Sequence, residues 1–546
     1  MLLEIGFVVF TLISHFSPRT SHFHKNFNFN YIFPNFGNNI TGDYMNKSCW
    51  VESTPKTNYP NISKDIDTNV LIIGGGITGI LTAYMLSESG LNITIVEADK
   101  MAMGVTANTT AKITSQHGLI YDYLLNTFGF ETAKGYLDSN EEAIKTIKNI
   151  VQKENIDCDL ISQDAYVYTC DKSNVQKIVD EVSAVSSLDL KAEYVTKCPL
   201  SFPIEAAIKF PNQAQFHPRK YLLSLLKILE KRNVNLFENS KVVNIKHTKD
   251  KYEVSINDYT ITAKYLVMAT HYPIKNFPGM YFIKMYQDAS YAIGVELEED
   301  VFDGMYISCD TPVTSFRNTP LENGENLLIV GGSGHKTGDT NVDIESSYTN
   351  LENYIKSIYP KAKIKYRWMT EDCVSLDKIP YIGEFSKFLP NMFVATGYKK
   401  WGMTTSHVAA KIISDKILGI ENPYGNIYTA TRLEPIKNGK EFLSMLKQSV
   451  YSLAIDKMSP PIISYTELQN DSGGVVDYNG KKLGIYKDKD GKMYGVVPYC
   501  KHLGCELSWN NLEKTWDCPC HGSRYDYNGK IITEPTTESL DIVELE

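Results

Sequence analysis

A glycine-rich turn joins two apolar segments near residue 75 of the chain. Residues 70–73 (Val-Leu-Ile-Ile) are continuously apolar, residues 80–86 continue as a mostly apolar helical segment, and residues 93–96 (Ile-Thr-Ile-Val) form a second short apolar run. A continuous apolar run of this length is typical of a parallel strand that is buried on both faces. The pattern therefore predicts a strand, a helix and a second parallel strand, which together make a βαβ unit.

The turn inside this unit has the spacing of a dinucleotide-binding loop. Gly74 permits the tight turn, Gly76 lets the backbone approach a pyrophosphate, and Gly79 allows the helix to pack closely on the strand. Glu97 follows the second strand, where a carboxylate can accept hydrogen bonds from both ribose hydroxyls. A glycine-rich surface loop is the alternative, but the strand, spacing, helix and acid together favour the dinucleotide site. The candidate contacts are Gly74, Gly76, Ile77, Thr78, Gly79 and Glu97.

Two later segments have the same apolar character. Residues 267–270 end in the small residues Ala269 and Thr270, which suits a strand that closes against the dinucleotide, although an ordinary core strand is the alternative. Residues 393–396 lead to Gly397, and residues 404–418 predict a helix whose N-terminus suits the pyrimidine edge of a flavin.

The C-terminal residues 459–546 follow a different pattern. Short alternating apolar segments are separated by the two-residue turn signals Asn479-Gly480, Asp490-Gly491 and Asn528-Gly529. This pattern predicts a small all-β domain built from hairpins.

Two loops of this β domain carry a set of metal ligands. Cys500 and His502 stand in the first loop, and Cys518 and His521 in the second. Two thiolates and two imidazoles are the ligands of a Rieske-type [2Fe–2S] cluster, in which histidines hold one of the two irons. Structural zinc is the alternative, but zinc fingers pair cysteine with cysteine and histidine with histidine, whereas each loop here mixes the two. The four residues therefore predict a centre that transfers single electrons.

The cluster bears on the identity of the dinucleotide. Flavin takes two electrons and releases them singly, whereas nicotinamide carries a hydride. Glu97 also disfavours a 2′-phosphate, and the chain has one such glycine fingerprint. FAD is therefore the predicted cofactor.

Both loops resemble the cluster-binding boxes of Rieske proteins nearly letter for letter, as C-K-H-L-G-C and C-P-C-H-G-S. The resemblance implies a disulfide between Cys505 and Cys520. It also implies hydrogen bonds from the hydroxyls of Ser523 and Tyr525 to cluster and cysteine sulfurs, which raise the reduction potential. Pro535 lies in a following loop that covers the site in related domains.

The larger part of the chain resembles the FAD-dependent oxidoreductases of the glycine/D-amino-acid oxidase-like family, and in particular its bacterial members with a fused C-terminal Rieske domain. The matching segments are residues 107–112, 116–118, 216–218, 267–271, 397–398 and 401–404, with Asp372, Asp377, Pro380 and residues 382–383. The resemblance implies an α/β Rossmann-like FAD-binding domain with an interleaved antiparallel-sheet substrate domain. It places further FAD contacts at Thr110, Ala111, Ala269, Thr270, Gly397, Gly402, Met403 and Thr404.

Four segments are expected from these patterns. Residues 1–44 form an extension that is best explained by a misassigned start, with initiation at Met45, although a genuine signal or anchor is the alternative. Residues 45–423 form the flavin-dependent domain, residues 424–458 a helical linker, and residues 459–546 the Rieske domain.

Other candidate side chains carry weaker signals. His117, His217, His271, His335 and His407 are expected to be packed or hydrogen-bonded rather than catalytic. Arg317 and Arg367 are candidates for clamping a substrate carboxylate, because arginine is much rarer than lysine in this chain. The sequence identifies no catalytic acid or base.

The composition of the chain limits the classes of molecule that it is expected to bind. With 43% hydrophobic residues and a net charge of −9, the chain is an ordinary globular protein without a basic stripe for nucleic acid or an anionic membrane. The six cysteines outside the cluster boxes are scattered as in a reducing compartment, which predicts a cytoplasmic protein, with peripheral membrane association only through an electron acceptor.

The predicted activity is that of a flavin-dependent dehydrogenase. A small molecule such as an amine or amino acid gives a hydride to FAD, the electrons pass singly to the cluster, and an external acceptor takes them onward. The alternative is an electron-transfer or redox-sensing protein without a small-molecule substrate. A Rieske oxygenase is disfavoured, because residues 45–460 lack the closely spaced histidine pair of a mononuclear iron site.

Overall fold

The computed structural model describes residues 46–432 and 463–545, apart from residues 276, 300, 322, 323, 340, 341, 343, 534 and 537. These residues all belong to one compact unit, Asp43–Glu546. The predicted extension 1–44, the start at Met45 and most of the predicted linker helix lie outside the described residues. Within the described ranges, no helix is long and apolar enough to cross a membrane.

The helices are α1 (Cys49–Glu52), α2 (Ile77–Leu86), α3 (Tyr121–Phe128), α4 (Phe130–Lys153), α5 (Val175–Ser187), α6 (Pro218–Lys231), α7 (Ile344–Ile358) and α8 (Gly402–Leu418). The strands are β1 (Ile66–Ile73), β2 (Ile93–Val96), β3 (Lys112–Ile113), β4 (Ile161–Thr169), β5 (Glu193–Val195), β6 (Ala206–Gln215), β7 (Asn235–Phe237), β8 (Val242–Thr248), β9 (Lys251–Ile256), β10 (Tyr259–Met268), β11 (Met285–Glu296), β12 (Met305–Ser308), β13 (Thr314–Pro320), β14 (Asn326–Lys336), β15 (Lys363–Ser375), β16 (Tyr381–Ser386), β17 (Leu389–Thr396), β18 (Ser472–Tyr478), β19 (Lys481–Lys487), β20 (Met493–Val496), β21 (Ser508–Asn510), β22 (Thr515–Asp517), β23 (Arg524–Asp526), β24 (Ile531–Thr533) and β25 (Ile542–Val543).

The first sheet has a parallel centre, as the apolar runs predicted. Its strands lie in the order β16-β17-β10-β1-β2-β7, and β1 pairs in parallel with both β2 and β10. Val70 and Ile72 pack into the core under the helices, whereas Leu71 and Ile73 pack into the core on the opposite face. Because both faces are covered at this end of β1, residues 70–73 are apolar at every position.

The second sheet is built from segments that alternate along the chain with those of the first. Its strands lie in the order β15-β11-β14-β13-β12-β4-β6-β3, and most neighbours are antiparallel. Helix α7 covers one face through Tyr348, Leu351 and Ile355. This is the interleaved antiparallel domain that the resemblance implied.

The C-terminal residues form two antiparallel sheets of four strands each, β18-β19-β20-β25 and β21-β22-β23-β24. Asn479 and Gly480 join β18 to β19, and both have positive φ angles of 53° and 80°. These angles are typical of the two-residue hairpin turn that the Asn-Gly pair predicted.

Candidate functional site

The glycine turn after β1 is packed so closely that its residue types are constrained. Gly74 has a φ of +110°, and a Cβ atom placed on it would lie 2.4 Å from the carbonyl oxygen of Ala269. A Cβ atom on Gly79 would lie 2.0 Å from the carbonyl oxygen of Gly74. The lack of a side chain at Gly74 therefore permits the turn to lie against Ala269, and the lack of one at Gly79 lets α2 pack closely against the turn, in line with the roles that the loop spacing predicted.

Glu97 is held in place at the end of β2. Its Oε2 accepts a hydrogen bond of 2.8 Å from the backbone N–H of Gly75, and its Oε1 accepts one of 2.9 Å from that of Asp99. Burial raises the pKa of this carboxyl, and the two backbone donors act against that rise. The glycine turn and the acid are thus joined directly, which places the carboxylate beside the turn where the ribose of a dinucleotide is expected.

A cavity of about 1060 Å³ opens beside the turn. Small-molecule pockets usually measure about 300–1,000 Å³, so this cavity has room for an extended cofactor. Of the predicted FAD contacts, the ones that line it are Gly74, Gly76, Ile77, Thr78, Glu97, Thr110, Ala269, Thr270, Gly397, Gly402 and Met403.

Three predicted contacts do not line the cavity. Gly79 serves helix packing, and Ala111 is fully buried with its carbonyl accepting a hydrogen bond from Arg317. The hydroxyl of Thr404 lies 3.1 Å from Nε2 of His117 and 3.2 Å from the carbonyl oxygen of Thr114. We infer that these three residues support the site from behind its wall.

Two helix N-termini face the same cavity. Gly76 caps α2, and Trp401 caps α8, whose first residues Gly402 and Met403 are cavity-lining. The hydroxyls of Thr78 and Tyr398 lie 2.9 Å apart and join the two helix starts. The positive ends of two helix dipoles suit a cofactor that carries a pyrophosphate and gains negative charge on reduction.

Four of the five candidate histidines, His117, His217, His335 and His407, are hydrogen-bonded to side chains of described residues. Burial lowers the pKa of His117 and His217 to about 3 and that of His407 to about 4. Nε2 of His335 lies 2.8 Å from the hydroxyl of Tyr291. His117 and His271 both line the cavity, but only the buried Nε2 of His271 has no hydrogen-bond partner among the described residues.

The interpretation of Arg317 and Arg367 as carboxylate clamps is wrong. Arg317 is 1% exposed and donates to the backbone carbonyls of Thr110, Ala111 and Phe216. Arg367 forms a buried ion pair with Glu352. Among the described residues that line the cavity there is no arginine.

The sequence analysis named Asp372 within the family resemblance without a role, and it missed Asp288 on the same cavity wall. Strands β11 and β15 are paired, and their alternate residues Tyr286, Asp288 and Ser290 on one strand and Thr370, Asp372 and Val374 on the other line the cavity. Asp288 lies directly opposite Asp372, and its Oδ2 lies 2.6 Å from Nζ of Lys400. Burial raises the pKa of Asp372 to about 6; the carboxylate of Asp288 adds to this rise, whereas Lys400 opposes it. No local sequence pattern pairs Asp372 with Asp288, because the pairing depends on the register of β11 and β15.

In the C-terminal domain, the two predicted ligand loops lie side by side. The rings of His502 and His521 have centroids 5.0 Å apart and are nearly perpendicular. A hydrogen bond from the Cys518 thiol lowers the pKa of Cys500. Both ring nitrogens of His502 and Nδ1 of His521 are buried without a hydrogen-bond partner among the described atoms. Buried polar atoms are rarely left unsatisfied, so these orphaned nitrogens fit metal ligation.

The second cysteine of each loop forms the disulfide that the resemblance implied, Cys505–Cys520, with Cα atoms 6.6 Å apart. Sγ of Cys518 lies within 4.8 Å of both disulfide sulfurs, but disulfide sulfurs are not thiolates and do not complete a ligand set with it.

The predicted hydrogen-bond donors surround Cys500. The hydroxyl of Tyr525 lies 3.4 Å from Sγ of Cys500, and the hydroxyl of Ser523 lowers the pKa of the same thiol. Pro535 is buried, and the next residue, Thr536, donates its backbone N–H to Oγ of Ser523. The proline loop therefore lies against the cluster box.

The cluster box is in contact with the flavin-side domain. The ring of Phe282 meets the rings of His502 and His521 edge-on, with centroids 5.5 Å and 5.9 Å apart. Nearby, the buried side chains of Arg524 and Glu371 lie 3.7 Å apart. Ile532 and Thr533 of β24 also line the large cavity, so the C-terminal domain forms part of its wall.

Comparisons with known proteins agree with this geometry. Residues 69–416 match the model of the FAD dependent oxidoreductase family, DAO, and residues 459–544 match that of the Rieske [2Fe-2S] domain. The putative Rieske 2Fe-2S iron-sulfur protein YhfW of Bacillus subtilis (strain 168) is 37% identical over 500 residues, which cover 92% of this chain and 98% of that protein.

Two more distant proteins match the flavin-side domain. Gamma-glutamylputrescine oxidoreductase of Escherichia coli (strain K12) is 22% identical over 380 residues, or 66% of this chain and 86% of that protein. The crystal structure of glycine oxidase from Geobacillus kaustophilus superposes with a TM-score of 0.58 at 16% identity, covering 67% of this chain and 99% of that one, which shows a shared fold.

The cofactors follow from the two domains. The cavity suits FAD in its size, its glycine turn and its two helix N-termini, and the orphaned histidine nitrogens suit the iron of a [2Fe–2S] cluster. The flavin domain binds FAD and the Rieske domain binds the cluster. The chain belongs to the DAO family of FAD-dependent oxidoreductases and is an enzyme of that family with a C-terminal Rieske [2Fe–2S] domain.

Proposed function

We propose that the chain is a dehydrogenase for a small molecule, an amine, amino acid or similar compound. Hydride transfer to FAD oxidises the substrate, and the electrons pass singly to the Rieske cluster and then to an external acceptor. The observation that carries the proposal is the contact of Phe282 with both candidate histidine ligands, because Phe282 lies three residues before the strand that lines the flavin cavity.

Strands β11 and β15 act as a wall one strand layer thick. Tyr286 and Asp288 point to the cavity, whereas Gln287 between them faces the other side, where a Cβ atom on Gly522 would lie 2.7 Å from its Cβ. Side chains alternate across a strand, so one face of this wall meets the cavity and the other meets the Rieske domain. We propose that this wall separates the two redox groups.

A second route through packed atoms supports the same relay. Gly397 lines the cavity, and a Cβ atom on it would lie 3.2 Å from Sδ of Met285, the first residue of β11. The turn Tyr281–Ile283, which contains Phe282, lies just before Met285 in the chain. The short segment from Phe282 to Met285 therefore contacts the candidate ligands His502 and His521 at one end and the cavity-lining Gly397 at the other.

The proposed ligands are Cys500, His502, Cys518 and His521, and their chemistry suits the role of a one-electron acceptor. Neutral imidazoles raise the potential of the cluster relative to an all-cysteine cluster. Hydrogen bonds from Tyr525 and Ser523 to Cys500 favour the more negative, reduced state. Both effects draw electrons from reduced flavin towards the cluster.

An anaerobic titration tests the proposal. Amines, amino acids and hydroxy acids are added one at a time to holoenzyme, while flavin absorbance and the EPR signal of the reduced cluster are recorded. We expect a substrate to bleach the flavin first and to reduce the cluster afterwards. A cluster that stays oxidised at full flavin reduction would contradict the relay, and a flavin that no compound bleaches would favour the electron-transfer or redox-sensing alternative.

A further inference from the structure

We infer that Asp288 and Asp372 form a binding site for the ammonium group of a cationic amine substrate. The inference rests on the proposed function and goes further, because it names the charge of the group that the cavity recognises. It is drawn from the register of β11 and β15 and from the charges at their contact.

The two aspartates are direct neighbours on the cavity wall. They are opposite each other in the antiparallel pair, with Ser290 opposite Thr370 as the next cavity-facing pair. Side chains in directly opposed positions have Cβ atoms about 4.5–5.5 Å apart, and like charges in such positions destabilise a sheet. An arrangement of this kind is stable when cations lie beside both carboxylates.

The described residues supply one fixed cation for this pair. Lys400 forms its ion pair with Asp288 at 2.6 Å. Asp372 is 8% exposed, and its carboxyl has no hydrogen bond to any described residue. The neighbouring Lys399 interacts most strongly with Lys378 and Glu181 instead. A buried carboxylate without a hydrogen-bonded partner is costly, so the cavity has a place for a second ammonium group beside Asp372.

The cavity wall carries the lysines Lys100, Lys112, Lys177, Lys241, Lys399 and Lys400, but among the described lining residues there is no arginine that could clamp a carboxylate with two parallel hydrogen bonds. The arginines Arg317 and Arg367 are committed to backbone carbonyls and to Glu352, respectively. Asp288 and Asp372 would repel an anion at this place in the cavity. The site therefore favours amines over free carboxylates.

Binding of non-oxidisable probes tests the site without turnover. tert-Butylammonium has no hydrogen on the carbon that bears nitrogen, so it cannot give a hydride; tert-butanol and pivalate are its neutral and anionic counterparts. Each is titrated at pH 8 into oxidised holoenzyme, and the dissociation constant is read from the flavin spectrum. We expect tert-butylammonium to bind at least about tenfold more tightly than tert-butanol, and pivalate to bind most weakly.

Three variants locate the effect. Asp372→Asn should weaken tert-butylammonium binding at least about tenfold. Glu296→Gln is the matched control, because Glu296 lies on β11 outside the cavity, in contact with Lys363 and Lys365; it should leave the constant unchanged. Lys400→Met removes the competing cation and should tighten binding, a gain that a misfolded protein does not produce.

The outcomes separate the two proposals. Preference for pivalate, equal affinity for all three probes, or an Asp372→Asn variant that binds tert-butylammonium like the unmodified enzyme overturns the ammonium site. If the probe binds as expected but no amine bleaches the flavin, the ammonium site stands and the proposed dehydrogenase activity fails.

Discussion

The two redox sites of this chain are assembled in opposite ways. The candidate cluster ligands lie within residues 500–521, on two loops that a disulfide joins. The cavity wall is drawn from segments between Ile73 and Thr533, including strands of both large sheets and of the Rieske domain. A local site depends on a few neighbouring contacts, whereas a distributed site depends on the packing of the whole fold, so the two should fail under different substitutions.

The largest effect is expected from removing a cluster ligand. Cys500→Ser replaces a thiolate by a poor iron ligand, so we expect complete loss of the Rieske EPR signal with most of the FAD retained. Cys170→Ser is the control, since Cys170 is an exposed free cysteine. Full cluster content in Cys500→Ser would refute the ligand assignment, and joint loss of FAD would show that the sites are not separable.

A substitution in the glycine turn should disrupt the FAD site and leave the cluster site intact. In Gly79→Ala the new Cβ atom meets the carbonyl oxygen of Gly74 at 2.0 Å, which must push α2 away from β1. Overpacking of this kind costs about 1–3 kcal/mol, and FAD content should fall severalfold while purified protein keeps its cluster signal. Gly425→Ala is the control, because its nearest contact would be 3.5 Å. Equal FAD content in both variants would count against the packing argument.

A pH series sharpens the comparison at the cavity wall. Burial raises the pKa of the Asp372 carboxyl to about 6. The other titratable groups on this part of the wall are Tyr286, Asp288, Lys399, Lys400 and His271, and burial lowers the pKa of Lys399 to about 8. Since an ammonium group binds the ionised carboxylate of Asp372, affinity for tert-butylammonium should fall by about tenfold per pH unit well below pH 6 and level off near pH 7. Above about pH 8 the loss of the Lys399 charge should raise the affinity further. The fall should be absent in Asp372→Asn. A profile that is the same in both proteins would assign the dependence to another group.

The smallest effect is expected where the two sites meet. Phe282→Ala removes the ring between the candidate histidines and β11, so transfer from flavin to cluster, measured by stopped-flow absorbance, should slow by about a few fold. Phe388→Ala serves as the control, because Phe388 is 81% exposed. An unchanged rate in Phe282→Ala would place the entry of electrons elsewhere on the cluster.

The difference between a local site and a site assembled from distant segments also determines how much of each can be predicted from the sequence. Cys500, His502, Cys518 and His521 are close in the chain, so their spacing carries the geometry of the site. The strand, glycine turn and helix at Gly74 are local in the same sense. Asp288 and Asp372 meet through strand register, and no local pattern encodes the pairing of β11 with β15.

The errors have the same origin. The rarity of arginine does not reveal the partners of Arg317 and Arg367, which are backbone carbonyls and acids of other elements. Ala111 and Thr404 belong to segments that do contact the cavity, and the sequence does not show which of their side chains turn away from it. Orientation within a correctly identified segment is therefore the part that needed the fold.

The position of Ile532 and Thr533 on the cavity wall has a consequence for protein engineering. The C-terminal domain cannot be exchanged without affecting the cavity, because two of its residues form part of the cavity wall. A chimaera with the Rieske domain of another protein would have a cavity of a different shape. Replacing the domain that passes electrons onward would therefore also change which molecules fit into the cavity.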